Sequence, residues 1–388
     1  MSPIGLALLG ATGSIGRSAL EVVRHHPERF RLVTLAAQGR DPEALARLAR
    51  EFGVALVAVA DPAAAKTLAP LLPAGVELAS GPEGLLAAVE HPGVARVLAA
   101  IVGAAGLPPV YAALAAGKGV ALANKESLVV GGRLLTELAA ATGAPILPID
   151  SEHSALHQAL RGGRPEEVRR LMLTASGGPF LRRDLATFGA IRPEEALAHP
   201  TWSMGAKISI DSATMVNKGL ELIEASHLFA VPGERIDVVV HPQSIVHSLV
   251  EWRDGSWLAQ LSVNDMIFPI QYALAWPERW DNEFPRLEPE RLGRLEFLPV
   301  EPERYPAVAL VRAALAAGES APAVFNAANE VAVAAFLDGR IPFPAIVETS
   351  RRVLERHSPV RLGALADALA WDAWGRARAA EILPALAG

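Results

Sequence analysis

Residues 4–16 read Ile4-Gly5-Leu6-Ala7-Leu8-Leu9-Gly10-Ala11-Thr12-Gly13-Ser14-Ile15-Gly16. The apolar run Ile4–Leu9 predicts a short buried strand. Glycines at 10, 13 and 16 follow, and Arg17–His25 has the spacing of a helix. A strand, a glycine-rich turn and a helix form a dinucleotide site, because glycine lets the backbone approach a pyrophosphate while the helix N-terminus faces its charge. The spacing is G-x-x-G-x-x-G rather than the commoner G-x-G-x-x-G, so the match is loose. A plain turn would account for the same residues. Their place at the end of the first strand of a β-α-β series favours a nucleotide.

Working outward, the second strand, Arg31–Ala37, is followed by Gln38-Gly39-Arg40, with the first acid at Asp41. An NAD-selective site usually holds the ribose hydroxyls with an acid at this point. An arginine there suits a 2′-phosphate, so NADP is favoured over NAD. The alternation continues through helix Pro42–Phe52, strand Val54–Ala60, helix Ala63–Leu72, strand Val94–Ile101, helix Pro108–Ala116, strand Val120–Ala123, helix Gly132–Ala141 and strand Ile146–Ile149. This pattern predicts an α/β fold, with a doubly wound, Rossmann-like domain over residues 1–149. Asn124-Lys125-Glu126-Ser127 falls just past a strand C-terminus, where open α/β sheets bind ligands.

The chain has 388 residues, 51% of them hydrophobic, which predicts two or three domains with sizeable cores. A net charge of −6 argues against bulk binding to nucleic acid or an anionic membrane. The absence of cysteine excludes disulfides, thiolate metal sites and thiol nucleophiles, so any metal must use oxygen or imidazole. The uncharged stretch 97–117 resembles a membrane span, but Gly103, Gly106 and Pro108-Pro109 read better as strand, turn and helix start. No targeting segment stands out, and a cytoplasmic protein is expected.

The second half begins with Asp150-Ser151-Glu152. Two carboxylates at i,i+2 can converge on a hard cation, or cap a helix over His153–Leu160; taken alone, the cap reads better. Strand Arg169–Ala175 precedes Ser176-Gly177-Gly178-Pro179-Phe180, which suits an anion or serves as an ordinary Gly-Pro turn. The stretch 199–229 holds a mobile loop, then Asp211-Ser212-Ala213-Thr214-Met215-Val216-Asn217-Lys218-Gly219, rich in hydroxyl, amide and ammonium donors. Glu221 and Glu224 follow on one helix face; a capped surface helix with solvated acids is the plain alternative.

Strands at 235–240, 245–252 and 256–262 make this region α+β, with a hairpin at Arg253-Asp254-Gly255 that can form a dimer surface. His241 and His247 read as structural. Residues 276–306, rich in Pro, Arg and Glu, read as a linker with one or two short elements. Helices at 307–317, 323–337, 343–356 and 362–382 predict a C-terminal helical bundle. Within it, Asn326-Ala327-Ala328-Asn329-Glu330 suggests hydrogen bonding between helices. The division is therefore 1–149, 150–275, a linker 276–306, and 307–388.

Taken together and in order, GATGSIG, AAIVGAAGL, LANKESLV, the Asp150-Ser151-Glu152 turn, SGGPF, HPTWSMG, DSATMVNKGLE, HPQSIVHS and NAANE resemble the 1-deoxy-D-xylulose 5-phosphate reductoisomerase family over essentially the whole chain. The resemblance implies isomerisation of that sugar phosphate and reduction with NADPH to 2-C-methyl-D-erythritol 4-phosphate, in non-mevalonate isoprenoid biosynthesis. It implies Mg²⁺ or Mn²⁺ on Asp150, Glu152 and Glu221, with Glu224 outside the ligand set. Ser176, Ser212, Asn217 and Lys218 would hold the phosphate. Ser151 and Lys125 would meet the hydroxyl and carbonyl end. Thr12, Gly13, Ser14, Ile15, Gly39, Arg40, Asn124, Glu126 and Gly205 would contact NADPH. Residues 199–207 would form a flap in which His199 and Trp202 close over substrate, and Glu152 would handle protons. A homodimer is implied as well. Gln38-Gly39-Arg40 departs from the family's usual Gly-Lys/Ser-Asn type of sequence. Two other readings remain: an NADP-dependent dehydrogenase without isomerisation, and an NADP-sensing protein with a degenerate site.

Overall fold

The computed structural model describes residues 3–202 and 204–387. The chain divides into two compact units, each discontinuous in sequence. One comprises Met1–Ser127, Leu135–Ser154 and Met266–Phe284; the other comprises Leu128–Leu134, Ala155–Asp265 and Pro285–Gly388.

The first unit is built on strands β1 (Ile4–Leu9), β2 (Phe30–Ala37), β3 (Leu56–Val59), β4 (Glu77–Ser80), β5 (Arg96–Ala99), β6 (Gly119–Leu122) and β7 (Ile146–Pro148). They pair in the order β4-β3-β2-β1-β5-β6-β7, and every pairing is parallel. The order reverses between β1 and β5, so the glycine turn after β1 sits at the switch point of a doubly wound sheet. Leu6, Leu8 and Leu9 are fully buried, as expected of a strand covered on both faces. The helix Ser14–His25 buries Gly16, Ala19, Leu20, Val22 and Val23. A Cβ on Gly16 would lie 2.3 Å from the Gly10 carbonyl oxygen, so glycine is required for helix and strand to approach this closely.

Three features depart from the sequence expectation. Strand β4 and the helix Gly81–Glu90 were not anticipated. The strand is a short edge with Glu77 exposed and the rest half-buried, so it carries no apolar run to detect. The helix expected from Gly132 is present, but it is preceded by a second helical stretch over 125–131 that was not anticipated, and the two meet at a kink where Gly132 is non-helical (φ 32°, ψ −116°). The glycine pair marks the kink, and Lys125-Glu126-Ser127 is the first turn of the preceding stretch. The helix Ile267–Ala275 was also missed. It is apolar on every side and almost wholly buried, so it shows no periodicity.

In the second unit, β8 (Val168–Ala175), β9 (Ile236–Val240), β10 (Val246–Trp252) and β11 (Trp257–Leu261) form a mixed sheet in the order β11-β10-β8-β9. Only β8 and β9 pair in parallel among the described strands of this sheet. The β10–β11 hairpin turns at Gly255 (φ +87°), with Asp254 Oδ1 accepting from Ser256 N at 2.9 Å. The helix Val216–Phe229 packs Leu222 and Ala225 against Leu171, Leu173 and Val250. Helices Pro306–Ala317, Ser320–Leu337, Ala345–Glu355 and Leu365–Ile382 complete the unit. Ser320–Leu337 is long and apolar enough to cross a membrane, yet 78% of it is buried inside the protein, as in a core helix.

Residues 276–306 contain a short 3-10 turn, Pro289–Arg291, and are tied down at several points. Trp280 and Phe284 pack on the core of the first unit. Leu298 pairs antiparallel with Val240, and Tyr305 is 1% exposed.

Candidate active site

In the first unit the glycine turn is held mainly by backbone, with Arg17 Nη1 donating to Thr12 O at 2.8 Å. Gly10 N and Ala11 N donate to Ala36 O at 2.8 and 2.9 Å. The helix that follows has Gly13 as N-cap, with no side-chain cap and no acid in its first turn. Its leading N–H groups and dipole are therefore open to an anion. Gly13 and Ser14 are exposed, and Thr12 and Ile15 half-buried. A cavity of about 720 Å³ runs from Thr12 and Ser14 to Arg17 and Asp41. The Asp41 carboxylate accepts from Ala44 N at 2.8 Å and so caps the next helix instead of meeting a ribose. Gly39 is buried at φ +99°, where a Cβ would strike Ala64. Arg40 is exposed and makes no hydrogen bond or ion pair among the described residues.

Beyond β6, Asn124 donates to Gly103 O at 3.0 Å and to Glu126 Oε2 at 2.8 Å, and Ser127 donates to Asn124. These side chains are buried and brace one another. Lys125, 5% exposed, pairs with Oδ2 of Asp150, whose Oδ1 faces His153 Nδ1 at 3.5 Å. Burial alone would raise the Asp150 pKa, but the Lys125 ammonium holds it well below the usual carboxylate range. Ser151 donates to Glu152 Oε2 at 2.5 Å. Asp150 thus stands directly before the helix Ser151–Ala159, its carbonyl accepting from Ser154 N at 2.8 Å, as a buried carboxylate paired with lysine.

In the second unit, Ser176 and His199 come together and the Ser212 backbone lies against the Ser176 turn, although all three are separate in the chain. Gly178 N donates to Ser176 Oγ at 3.1 Å, and His199 Nε2 lies 3.0 Å from the same oxygen. His199 Nδ1 accepts from Thr201 N and Trp202 N at 3.1 and 3.0 Å. The imidazole is therefore neutral with its proton on Nε2, consistent with burial lowering its pKa. Ser176 Oγ accepts twice, which leaves its own proton to donate to an anion. A Cβ on Gly178 would lie 3.0 Å from Ser212 O, so glycine lets the Ser176 turn pack against the Ser212 segment.

The left-handed Met215 (φ 61°) separates the helix Ala206–Ala213 from Val216–Phe229. Glu221, 1% exposed, accepts from Asn217 Nδ2 at 2.6 Å and pairs with Lys218. Glu224 is fully buried on the same helix. Gly205 is the exposed N-cap of the helix Ala206–Ala213. The Trp202 ring lies 6.3 Å from that of His247, and within the same segment Ser203 lies outside the described residues. Asn329 donates to Asp211 at 2.8 Å, which accounts for the polar Asn326–Glu330 run as helix-to-helix bonding.

The chain is 52% identical over 383 residues to the 1-deoxy-D-xylulose 5-phosphate reductoisomerase of Symbiobacterium thermophilum, covering 97% of this chain and 98% of the relative. This chain belongs to the 1-deoxy-D-xylulose 5-phosphate reductoisomerase family. Family models match residues 6–132, described as 1-deoxy-D-xylulose 5-phosphate reductoisomerase, and residues 146–229 and 261–378, described as its C-terminal domains. The reductoisomerase of Zymomonas mobilis, solved in complex with NADPH, superposes with a TM-score of 0.91 at 42% identity, over 98% of this chain and 99% of that one. A reductoisomerase solved with NADPH, fosmidomycin and magnesium gives a TM-score of 0.93 at 41% identity, over 98% of each chain. The sequence reading does not include Arg304 and Tyr305, which reach the Ser176 turn from the segment read as linker. Neither carries a motif, and contact alone reveals them.

Proposed function

We infer that this chain converts 1-deoxy-D-xylulose 5-phosphate to 2-C-methyl-D-erythritol 4-phosphate with NADPH and a divalent cation, as an enzyme of non-mevalonate isoprenoid biosynthesis. The observation that carries this reading is that Asp150 and Glu221, motif carboxylates 9% and 1% exposed, are each buried within their own unit, in a chain without cysteine. Oxygen donors of this kind suit Mg²⁺ or Mn²⁺. Asp150, Glu152 and Glu221 would hold the ion, which when bound polarises a carbonyl and its neighbouring hydroxyl as a Lewis acid. NADPH supplies the hydride for the reduction.

The chain's own residues do the rest. The open N-terminus of the helix Ser14–His25, with Thr12, Gly13, Ser14 and Ile15, takes the pyrophosphate. Arg40 takes the 2′-phosphate and Gly39 sets its approach. Asn124, Glu126 and Gly205 complete the cofactor contacts. Ser176, Ser212, Asn217 and Lys218 hold the substrate phosphate, and the neutral His199 keeps the Ser176 proton directed outward. Lys125 and Ser151 meet the carbonyl and hydroxyl end, Glu152 exchanges a proton there, and Trp202 excludes water as residues 199–207 close. In functional terms, residues 1–149 bind NADPH and 150–275 bind metal and substrate. Residues 276–306 link these to the helical region 307–388.

We also propose a homodimer formed through the β10–β11 hairpin, whose edge strand exposes Trp257, Leu258 and Leu261. Sedimentation of Leu258→Asp as a monomer would support it. A cytoplasmic location suits an enzyme that draws on NADPH, and cell fractionation tests it. The test of the activity itself is NADPH oxidation, followed by absorbance, with 1-deoxy-D-xylulose 5-phosphate in Mg²⁺ and then in chelator. Metal-dependent oxidation with a branched product supports the reading. Folded, NADPH-binding protein that is inert in both Mg²⁺ and Mn²⁺ would overturn it in favour of a dehydrogenase with another substrate.

A further inference from the structure

One peptide plane links the Ser176 turn to a residue distant in sequence. Gly177 and Gly178 both lie at positive φ, +85° and +66°. The peptide between them offers its N–H to Ser176 Oγ at 3.1 Å and its carbonyl to the Tyr305 hydroxyl at 2.7 Å. Tyr305 is 1% exposed and packs with Ala175, Met215 and Val240. Burial raises its pKa to about 12, so its hydroxyl stays protonated and donates throughout the neutral range. Arg304 holds the far side of the same turn, donating to Phe180 O at 2.9 Å and Arg183 O at 2.6 Å. Two glycines in succession form a soft hinge, since both can leave positive φ freely. Without an external tie, the peptide could rotate and withdraw its N–H from Ser176.

We propose that Tyr305, supported by Arg304, is a positioning residue for substrate phosphate: it pins the Gly177–Gly178 peptide, which in turn aims the Ser176 hydroxyl at the anion. This rests on the reading of Ser176 as a phosphate donor. Tyr305 touches no substrate. It acts through the carbonyl of Gly177, and its effect belongs to substrate affinity and not to hydride transfer.

The test is a steady-state comparison of Tyr305→Phe, Ser176→Ala and the double variant, in full-length enzyme with Mg²⁺. The phenylalanine keeps the ring in its cluster and removes only the hydroxyl. Tyr305→Phe is expected to raise the sugar phosphate KM about five- to tenfold, as for one lost hydrogen bond, with kcat and the NADPH KM unchanged. In the Ser176→Ala background it is expected to add less than about twofold, because coupled residues are not additive. A role in packing alone would instead give the same factor in both backgrounds, and that result overturns the proposal. So does an unchanged KM in Tyr305→Phe when Ser176→Ala raises it. If Ser176→Ala leaves the KM unchanged, the phosphate reading of Ser176 falls, and this inference with it. Arg304→Gln loosens the other end of the turn. It gives the same KM-against-kcat split, and serves as the readout should Tyr305→Phe unfold.

Discussion

The two units carry their chemistry in different ways. In the first, the glycine turn proposed to take the cofactor would work through backbone: glycines at the switch point of a parallel sheet and an uncapped helix N-terminus. In the second, the proposed phosphate cradle would work through side chains drawn from separate segments: Ser176 after a strand, Ser212 at a helix end, and Asn217 and Lys218 at a helix start, with His199 bonded to Ser176 from a loop. A backbone site is intolerant of added atoms but largely indifferent to side-chain identity. A side-chain site is the reverse, and depends on buried neighbours to hold each group in place.

The largest expected effect breaks the side-chain half. Glu221→Gln keeps shape and removes one carboxylate charge, leaving Lys218 buried beside a neutral amide. Turnover should fall on the order of 10³-fold, with a raised Mg²⁺ requirement in the NADPH oxidation assay and NADPH affinity intact. If the variant keeps wild-type turnover, Glu221 is not a ligand.

Gly16→Ala probes the backbone half. The added carbon would sit 2.3 Å from Gly10 O and 2.7 Å from the carbonyl carbon of Ala11, neither of which is a flexible side chain. A loss of about 3 kcal/mol is expected in denaturant titration, as for overpacking at its severe end. NADPH binding should weaken with it, while the residues proposed to hold the substrate phosphate are untouched. Full stability in this variant would show that the glycine spacing is incidental.

A pH series sharpens the contrast. In the second unit burial depresses His157, His199 and His227, with His157 lowered from 6.5 to about 4. Each binds its proton more readily when unfolded. Stability is therefore full above the unfolded value and declines as pH falls from about 6.5 toward the folded values. His157→Gln should remove up to about 3 kcal/mol of that pH dependence between pH 7 and 4, read from thermal midpoints. A variant whose midpoint tracks wild type across this range would sink the assignment.

The smallest effect concerns Arg40, exposed and outside any described ion pair. Arg40→Ala should raise the NADPH KM about tenfold, as for one charge-assisted hydrogen bond, with NADH use unaffected. Equal losses with both cofactors would mean that Arg40 does not read the 2′-phosphate.

Legibility in the sequence followed the same division. Strands β1, β2 and β6 and the glycine turn were readable because fully buried strands appear as apolar runs and glycine spacing reports backbone shape directly. The helix Ile267–Ala275, apolar all round, and β4, a half-exposed edge, offered no period. At Gly132 the expected helix start coincides with a kink between two helical stretches, and the first of them, over 125–131, was not read because the glycine pair hides the continuity. In the candidate site, Lys125, Asp150, Glu221 and Ser176 were all named from motifs. Their partners were not: Lys125 with Asp150, Lys218 with Glu221, and His199 with Ser176 become pairs only in the fold.

The sequence by itself determined the oxygen-only donor chemistry, the dinucleotide turn, the order of the motifs and the family they resemble. These reside in residue type and local spacing, which folding does not alter. Tertiary structure decided the tautomer of His199, the ion pair of Asp150 with Lys125, and the hold of Tyr305 on Gly177. These depend on contacts between segments up to 128 residues apart, and local sequence carries no record of which distant group will arrive.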